Sequence, residues 1–396
     1  MVEFLHSWSG LTERARFSRA FLALSLSGFF AILSSTMSKS PTLPLFAQSL
    51  GLSEAEIGLI AATSTIVGIV VNFAAGALSD MYGRKKLLAA SGIFFASAPF
   101  LYLATVNAWQ LALVRAYHGI ATATFTPVAI ALTADMYESK RGEMIGFFSS
   151  ATMVGRLIAP ILAGAILSLA GFNEAYLVCG GMGVVALVSM LILPVSEPSE
   201  RPRSPNKAAR EAFRVLVRGD VVAASIVMAV TYFAMQGLET FLPIYMMGLG
   251  VEAWLIGAVF TIQLLVMMLL KPYAGRLSDR VGRIKVTAMG LMVSAFGLIG
   301  IGLLRSYFEL VLSISVFAIG AAFTTASIPP LVSELVSRER HGSAIGAMET
   351  IKDVGQALGP IFMGLILPHL GFGEALIVIS MMLVLTFPLI YLKLRS

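Results

Sequence analysis

Twelve apolar stretches, most of them 20 residues or longer, follow one another along the chain with only short polar breaks between them. They lie at 20–46, 54–76, 86–105, 109–135, 143–169, 174–194, 220–247, 253–275, 285–304, 308–334, 342–368 and 374–393. About 20 residues of helix cross a hydrocarbon core about 30 Å thick, so the pattern predicts an all-α membrane protein with twelve transmembrane helices. The longest runs imply tilt or protrusion into a cavity. Composition agrees: 57% of the residues are hydrophobic and 13% charged, against about 45–50% and about 25% in soluble domains. Twelve spans in 396 residues leave no room for a separate soluble domain.

The basic residues assign the topology. Twenty-two of the 28 Lys and Arg fall before the first span, after the last, or in alternate loops between them. They include Arg14, Arg16 and Arg19, the runs Arg84 to Lys86 and Arg276 to Lys285, and Lys393 with Arg395, whereas the opposite loops carry Arg305 alone. Basic loops stay cytoplasmic, which predicts cytoplasmic N- and C-termini and makes a nucleic-acid partner unnecessary to explain the net charge of +6. The three N-terminal arginines before an apolar run resemble a secretory leader, but the spans that follow and the lack of a convincing cleavage site favour an uncleaved first helix. The single Cys179 excludes an internal disulfide and a cysteine-based metal site, and the four histidines show no ligand spacing. No nucleophile and base stand at a recognisable spacing, and no phosphate-binding loop is present, so the sequence does not read as an enzyme.

The chain repeats itself. GALSDMYGRKK at Gly76 to Lys86 returns as GRLSDRVGRIK at Gly275 to Lys285, and GRLIAPILAGAILSLAGFNEA from Gly155 returns as GQALGPIFMGLILPHLGFGEA from Gly355. Two parallel six-helix repeats predict two bundles related by a pseudo-twofold axis along the membrane normal, with a site between them. The bundles are placed at 1–194 and 220–396, joined by a cytoplasmic linker at 195–219 rich in Pro, Ser and charge.

These motifs resemble those of the major facilitator superfamily of secondary transporters. The family's cytoplasmic signature stands twice, as Gly76, Asp80, Gly83 and Arg84 and again as Gly275, Asp279, Gly282 and Arg283. The resemblance implies that these loops latch a closed-inside state, with Asp135 and its counterpart Glu334 joining the arginines. A second signature at the fourth span keeps Arg115 but has His118 and Ala121 where the family usually has glutamine and glycine. A third, tied in the family to drug-export antiporters, is present with departures as Gly155, Ala159, Pro160, Ala163 and Gly164, and as Gly355, Gly359, Pro360, Met363 and Gly364. Small residues let helices approach and proline opens the backbone for a bend, so the third signature is also explained by packing alone.

Eight charges lie deep in the spans: Lys39, Arg115, Arg156, Lys271 and Lys352, with Glu239, Glu349 and Asp353. None falls in spans 3, 6, 9 or 12, which in the family form the lipid-facing layer. Intramembrane charges are functional candidates. Spans 1 and 7 are counterparts, and a shift of 199 residues aligns Glu239 with Ser40, so Lys39 and Glu239 are expected to meet across the cavity near its outer half. Glu349, Lys352 and Asp353 share one helix face, and the proton-carrier candidates are Glu239, Asp353 and then Glu349, with Lys352 as the neighbouring cation. His118, one helical turn after Arg115, could titrate near neutrality and is counted with Arg115 and Arg156 among the coupling candidates, although its more ordinary reading is a satisfied hydrogen-bonding residue. No acid is deeply embedded in spans 1 to 6, which favours neutral, zwitterionic or anionic cargo over a simple lipophilic cation.

The sequence is therefore read as a plasma-membrane antiporter that uses the proton gradient and no bound cofactor to export amphipathic drugs or metabolites, working as a monomer among membrane lipids. An organic-anion symporter or exchanger is the alternative, and a lipid flippase or ligand sensor stands behind both.

Overall fold

The computed structural model describes residues 18–137, 139–194, 218–337 and 340–394, nearly all of them helical. The helices are α1 (Arg19–Lys39), α2 (Thr42–Ser49), α3 (Glu54–Tyr82), α4 (Arg84–Tyr102), α5 (Ala108–Met136), α6 (Arg141–Leu169), α7 (Phe172–Leu191), α8 (Gly219–Gly248), α9 (Ala253–Val281), α10 (Arg283–Leu303), α11 (Tyr307–Glu334), α12 (His341–Ile366) and α13 (Phe372–Leu394). With α1 and α2 counted as one broken span, they make twelve. Among the described residues nine are long and apolar enough to cross a membrane by length and composition alone. Of the others, α4 opens on Arg84, Lys85 and Lys86, and α12 carries Glu349, Lys352 and Asp353, charges that lower their mean hydropathy.

Several helix starts on the side away from the basic loops are capped by their own side chains. Ser53 and Glu56 form a reciprocal capping box, Asn107 accepts from the Gln110 amide at 3.0 Å, and Ser306 pairs with Glu309. Each cap satisfies amides that the helix itself leaves open.

Two readings of the sequence change. The first span is not continuous: it stops at Lys39 and resumes at Thr42, because Pro41 has no amide proton to continue the ladder. Its counterpart in the second half is Thr240, and α8 runs unbroken through that position. The cytoplasmic signatures are not loops, since α3 and α9 extend to Tyr82 and Val281, six residues beyond Gly76 and Gly275. Only Gly83 (φ 94°) and Gly282 (φ 108°) make the turns, in a region of backbone space that L side chains avoid. The linker placed at 195–219 lies almost wholly outside the described residues, as do Arg14, Arg16, Arg338 and Arg395 of the charge count.

The two sets of six spans pack by the same plan. In the first, α1 lies against α6 and α7, α4 against α5 and α7, and α3 against α5. In the second, α8 lies against α12 and α13, α10 against α11 and α13, and α9 against α11. Large apolar side chains on α7, α10 and α13, such as Leu191, Phe296 and Leu385, remain exposed, as lipid contact requires.

Between the sets the main contacts are α6 with α9 and α3 with α12, a symmetric pair of crossings. A Cβ at Gly164 would collide with the main-chain carbonyl of Ala253, and one at Gly257 with that of Pro160. The other crossing repeats this geometry, Gly364 against the carbonyl of Glu54 and Gly58 against that of Pro360. Such contacts need residues without side chains. Both crossings lie in the outer halves of the helices, the basic loops marking the cytoplasmic side. At the cytoplasmic ends of α6 and α12 the Cβ positions of Gly142, Gly146, Gly342 and Gly346 meet open space. The molecule is closed outside and open inside.

Gly364→Val is therefore expected to lower stability in detergent by about 1–3 kcal/mol through overpacking. Gly346→Ala, in open space on an exposed helical position, is expected to raise it by up to about 1 kcal/mol. Thermal unfolding of the two purified variants checks both signs.

Candidate functional site

The broken first span brings a cation to the midline between the sets. Lys39 ends α1, and its Nζ donates to Glu239 Oε2 at 3.1 Å and to Gln236 Oε1 at 2.9 Å, both on α8. The two charged side chains are 27% and 28% exposed, so the pair is partly wetted. It links the two halves, an arrangement that offsets the cost of holding either charge alone in a membrane interior. Arg115 of α5 joins the pocket around this pair, which is lined also by Leu43, Pro44, Ile57, Ile60 and Thr240.

Gln236 was not singled out in the sequence, although it lies three residues before Glu239 on the same helix face. Tyr232, one turn earlier, extends the same stripe. The ammonium of Lys352 sits 5.1 Å from the centre of the Tyr232 ring and is held by Glu349 and, at 3.1 Å, by Asp353 Oδ1. The stripe on α8 therefore touches both charged groups, one near the outer end of the cavity and one further in on α12. Arg156 of α6, exposed to the cavity, is within electrostatic reach of Lys39, Tyr232 and Lys271 and so lies between the two.

His118 is placed differently. It is buried within the first set of helices, its Nδ1 3.4 Å from the Tyr102 hydroxyl and its ring edge-on to Phe95. It does not line the pocket that holds Lys39 and Arg115.

The signature residues form ion pairs inside each half. Arg84 Nε lies 2.5 Å from Asp135 Oδ2, and Arg283 lies 2.5 Å from Asp279 and 3.1 Å from Glu334. The side chain of Asp80 and the surroundings of Gly76 are outside the described set, and Gly275 meets nothing within 4 Å. In this open-inside arrangement each arginine ties the start of its helix to the acidic end of the following one, α4 to α5 and α10 to α11, and Arg283 also reaches back to the end of α9. The third signature splits in two: Gly155, Gly355 and Gly359 seat α6 and α12 on carbonyls of α1 and α8, whereas Pro160, Gly164, Pro360 and Gly364 build the outer crossings.

The sequence profile described as Major Facilitator Superfamily matches residues 24–262 and 249–396, which together take in nearly all of the chain. The chain belongs to the major facilitator superfamily. It is a multi-pass membrane transport protein and not an enzyme. An uncharacterized MFS-type transporter of Methanocaldococcus jannaschii is 24% identical over 340 residues, 85% of this chain and 88% of that protein. The multidrug resistance protein MdtG of Proteus mirabilis is 26% identical over 345 residues, 84% of this chain and 85% of that one. Among solved structures, a bacterial homologue of the human lysosomal transporter Spinster, inward-facing and occupied, superposes with a TM-score of 0.79 at 17% identity, covering 95% of this chain and 96% of its own. The nucleoside transporter NupG gives 0.81 at 14%, covering 96% and 100%. At these identities the two structures share the fold.

Lys39→Gln and Glu239→Gln are each expected to destabilise the purified protein by leaving a partner charge alone. The double variant should lose less than the sum, with a coupling of about 1 kcal/mol or more. Denaturation of the four proteins of this cycle in one detergent measures it, and simple additivity would mean the pair carries no energy of its own.

Proposed function

We propose that the protein is a proton-coupled antiporter that exports amphipathic drugs or metabolites across the plasma membrane by rocking its two halves about the central cavity. One observation carries this reading: an ionisable carboxylate, Glu239, is paired across the midline with Lys39 next to the outer seal. The state of that carboxylate decides whether the halves are linked by charge.

In the open-inside state the ionised pair holds the outer end shut. A substrate entering from the cytoplasm competes for Lys39 and loosens the link, so the outer crossings part and the substrate leaves. Glu239 then takes a proton from outside, and as a neutral acid it returns without the cost of carrying an unpaired charge through the closing pocket. The proton leaves inward when the pair with Lys39 forms again. Asp353, and then Glu349, would relay it toward the cytoplasm beside Lys352. Arg156 and Lys271 keep the lower cavity positive, and the outward step follows the usual logic of ligand-shifted two-state equilibria. The protein needs no bound cofactor for this cycle and acts as a monomer, with the proton gradient as its energy source.

Efflux draws support from the relatives named multidrug resistance proteins, among them those of Proteus mirabilis and Klebsiella pneumoniae. A second reading, organic-anion symport or exchange, is favoured by the pocket's two cations, Lys39 and Arg115, against one acid.

Internal pH in proteoliposomes, read with a trapped dye under a proton gradient while lipophilic cations, neutral amphiphiles and carboxylates are added, tests the proposal. Substrate-dependent proton movement is expected in the parent protein and is expected to be lost in Glu239→Gln and Asp353→Asn. A silent dye together with carboxylate exchange would move the assignment to the anion carrier.

A further inference from the structure

The pocket at Lys39 contains more hydrogen-bond donors than the protein satisfies. Arg115 is 4% exposed, and its Nε has no hydrogen-bond partner among the described residues. Gln236 is 5% exposed; its Oε1 accepts from Lys39 while its Nε2 has no partner. The orientation of this amide follows from chemistry, because an ammonium only donates and so turns the amide oxygen toward itself. The amide nitrogen is left to face elsewhere in the same pocket. Both side chains line it together with Lys39 and Glu239.

Charge leads to the same place. Lys39 and Arg115 are two cations, and Glu239 is the single acid lining the pocket, already engaged by Lys39. Around Arg115 the neighbours from α4 and α5 are neutral groups, the Tyr102 hydroxyl and the His118 ring. Arg156 from α6 adds a further positive charge within reach of Lys39. A buried guanidinium without a carboxylate is costly, and a buried amide nitrogen without an acceptor adds to that cost. One ligand type removes both deficits: a singly charged anion with two acceptor oxygens.

We propose that Arg115 Nε and Gln236 Nε2 form a subsite for the carboxylate head group of an amphipathic substrate, with Lys39 as the third donor. The apolar wall of Leu43, Ile57 and Ile60 takes the first carbons of its tail, and the remainder extends into the open cavity. This inference rests on the export reading and deepens it, since the head group is then the competitor that draws Lys39 away from Glu239. Arg115 and Gln236 become the residues that select cargo by charge.

Binding to the full chain in lipid nanodiscs, measured by equilibrium dialysis with three matched probes, tests the subsite: 4-octylbenzoate, the neutral 4-octylbenzamide and cationic 4-octylbenzyltrimethylammonium. The parent protein should bind the benzoate most tightly. Arg115→Gln is expected to weaken it by about tenfold or more, and Gln236→Leu by roughly threefold or more, while both leave the amide within about twofold. Arg305→Gln, in an outer loop, should change none of the three. Equal binding of the cation and the benzoate by the parent protein would overturn the subsite. So would equal weakening of benzoate and amide in Gln236→Leu, which removes no charge and serves if Arg115→Gln fails to fold. Competition by benzoate, which stays in water, or only by the octyl compound, which enters lipid, supports the subsite either way and distinguishes an aqueous from a lipidic source. The dye assay separates this inference from the one beneath it. Carboxylate selectivity without proton movement overturns antiport and keeps the subsite, and proton movement without carboxylate selectivity does the reverse.

Discussion

The cost of holding charge away from water organises this molecule. Eight ionisable groups lie deep in spans that must otherwise be apolar, and the helices that bear them are the ones that border the space between the halves. There several of the charges have a partner or are exposed, while Arg115 stays buried with its Nε unpartnered among the described residues. Lys39 has Glu239 and Gln236, and Lys352 has two carboxylates and an aromatic face. Arg156 is exposed to the cavity. The outer layer of α4, α7, α10 and α13 carries none of the eight and shows lipid its Leu, Phe and Met side chains.

Duplication builds the frame, and departures from it build the chemistry. The crossings of α6 with α9 and of α3 with α12 correspond glycine for glycine. The pocket is not symmetric in this way. Pro41 breaks one half's helix where Thr240 lets the other continue, and the ammonium of Lys39 stands across from a carboxylate that aligns with a serine. The frame is symmetric across the two halves, whereas the pocket sets two cations, Lys39 and Arg115, against one acid, Glu239.

Much of this was legible in the sequence, for identifiable reasons. Apolar runs and basic loops report on the membrane directly, so span count and topology could be read before any coordinates. The approach of Lys39 to Glu239 could be anticipated because duplication aligns their helices. The break at Pro41 went unseen because the apolar residues before Ser34 and after Thr42 were read as one run across the polar stretch SSTMSKSPT between them. The helical character of the six residues after Gly76 and after Gly275 was hidden because Asp and Arg in the last turns look like loop when only hydropathy is considered. Gln236 was passed over because a neutral amide is unremarkable in sequence. It matters only once Lys39 has fixed which of its atoms faces away. The division of the third signature between packing inside a half and sealing across halves is a matter of which neighbour each glycine meets. That is set by tertiary arrangement and not by spacing.

The outer crossings have a consequence for timing. At their glycines they are backbone against backbone, and few side chains link the same helices, among them Ser168 with the Trp254 amide, Thr261 with the Leu157 carbonyl and Gln356 with Thr65. Dispersion falls off so steeply that a radial gap of about 1 Å already forfeits much of the attraction. In the rocking cycle proposed above, such contacts give way over a short separation, so the outer side is expected to open abruptly and not by degrees.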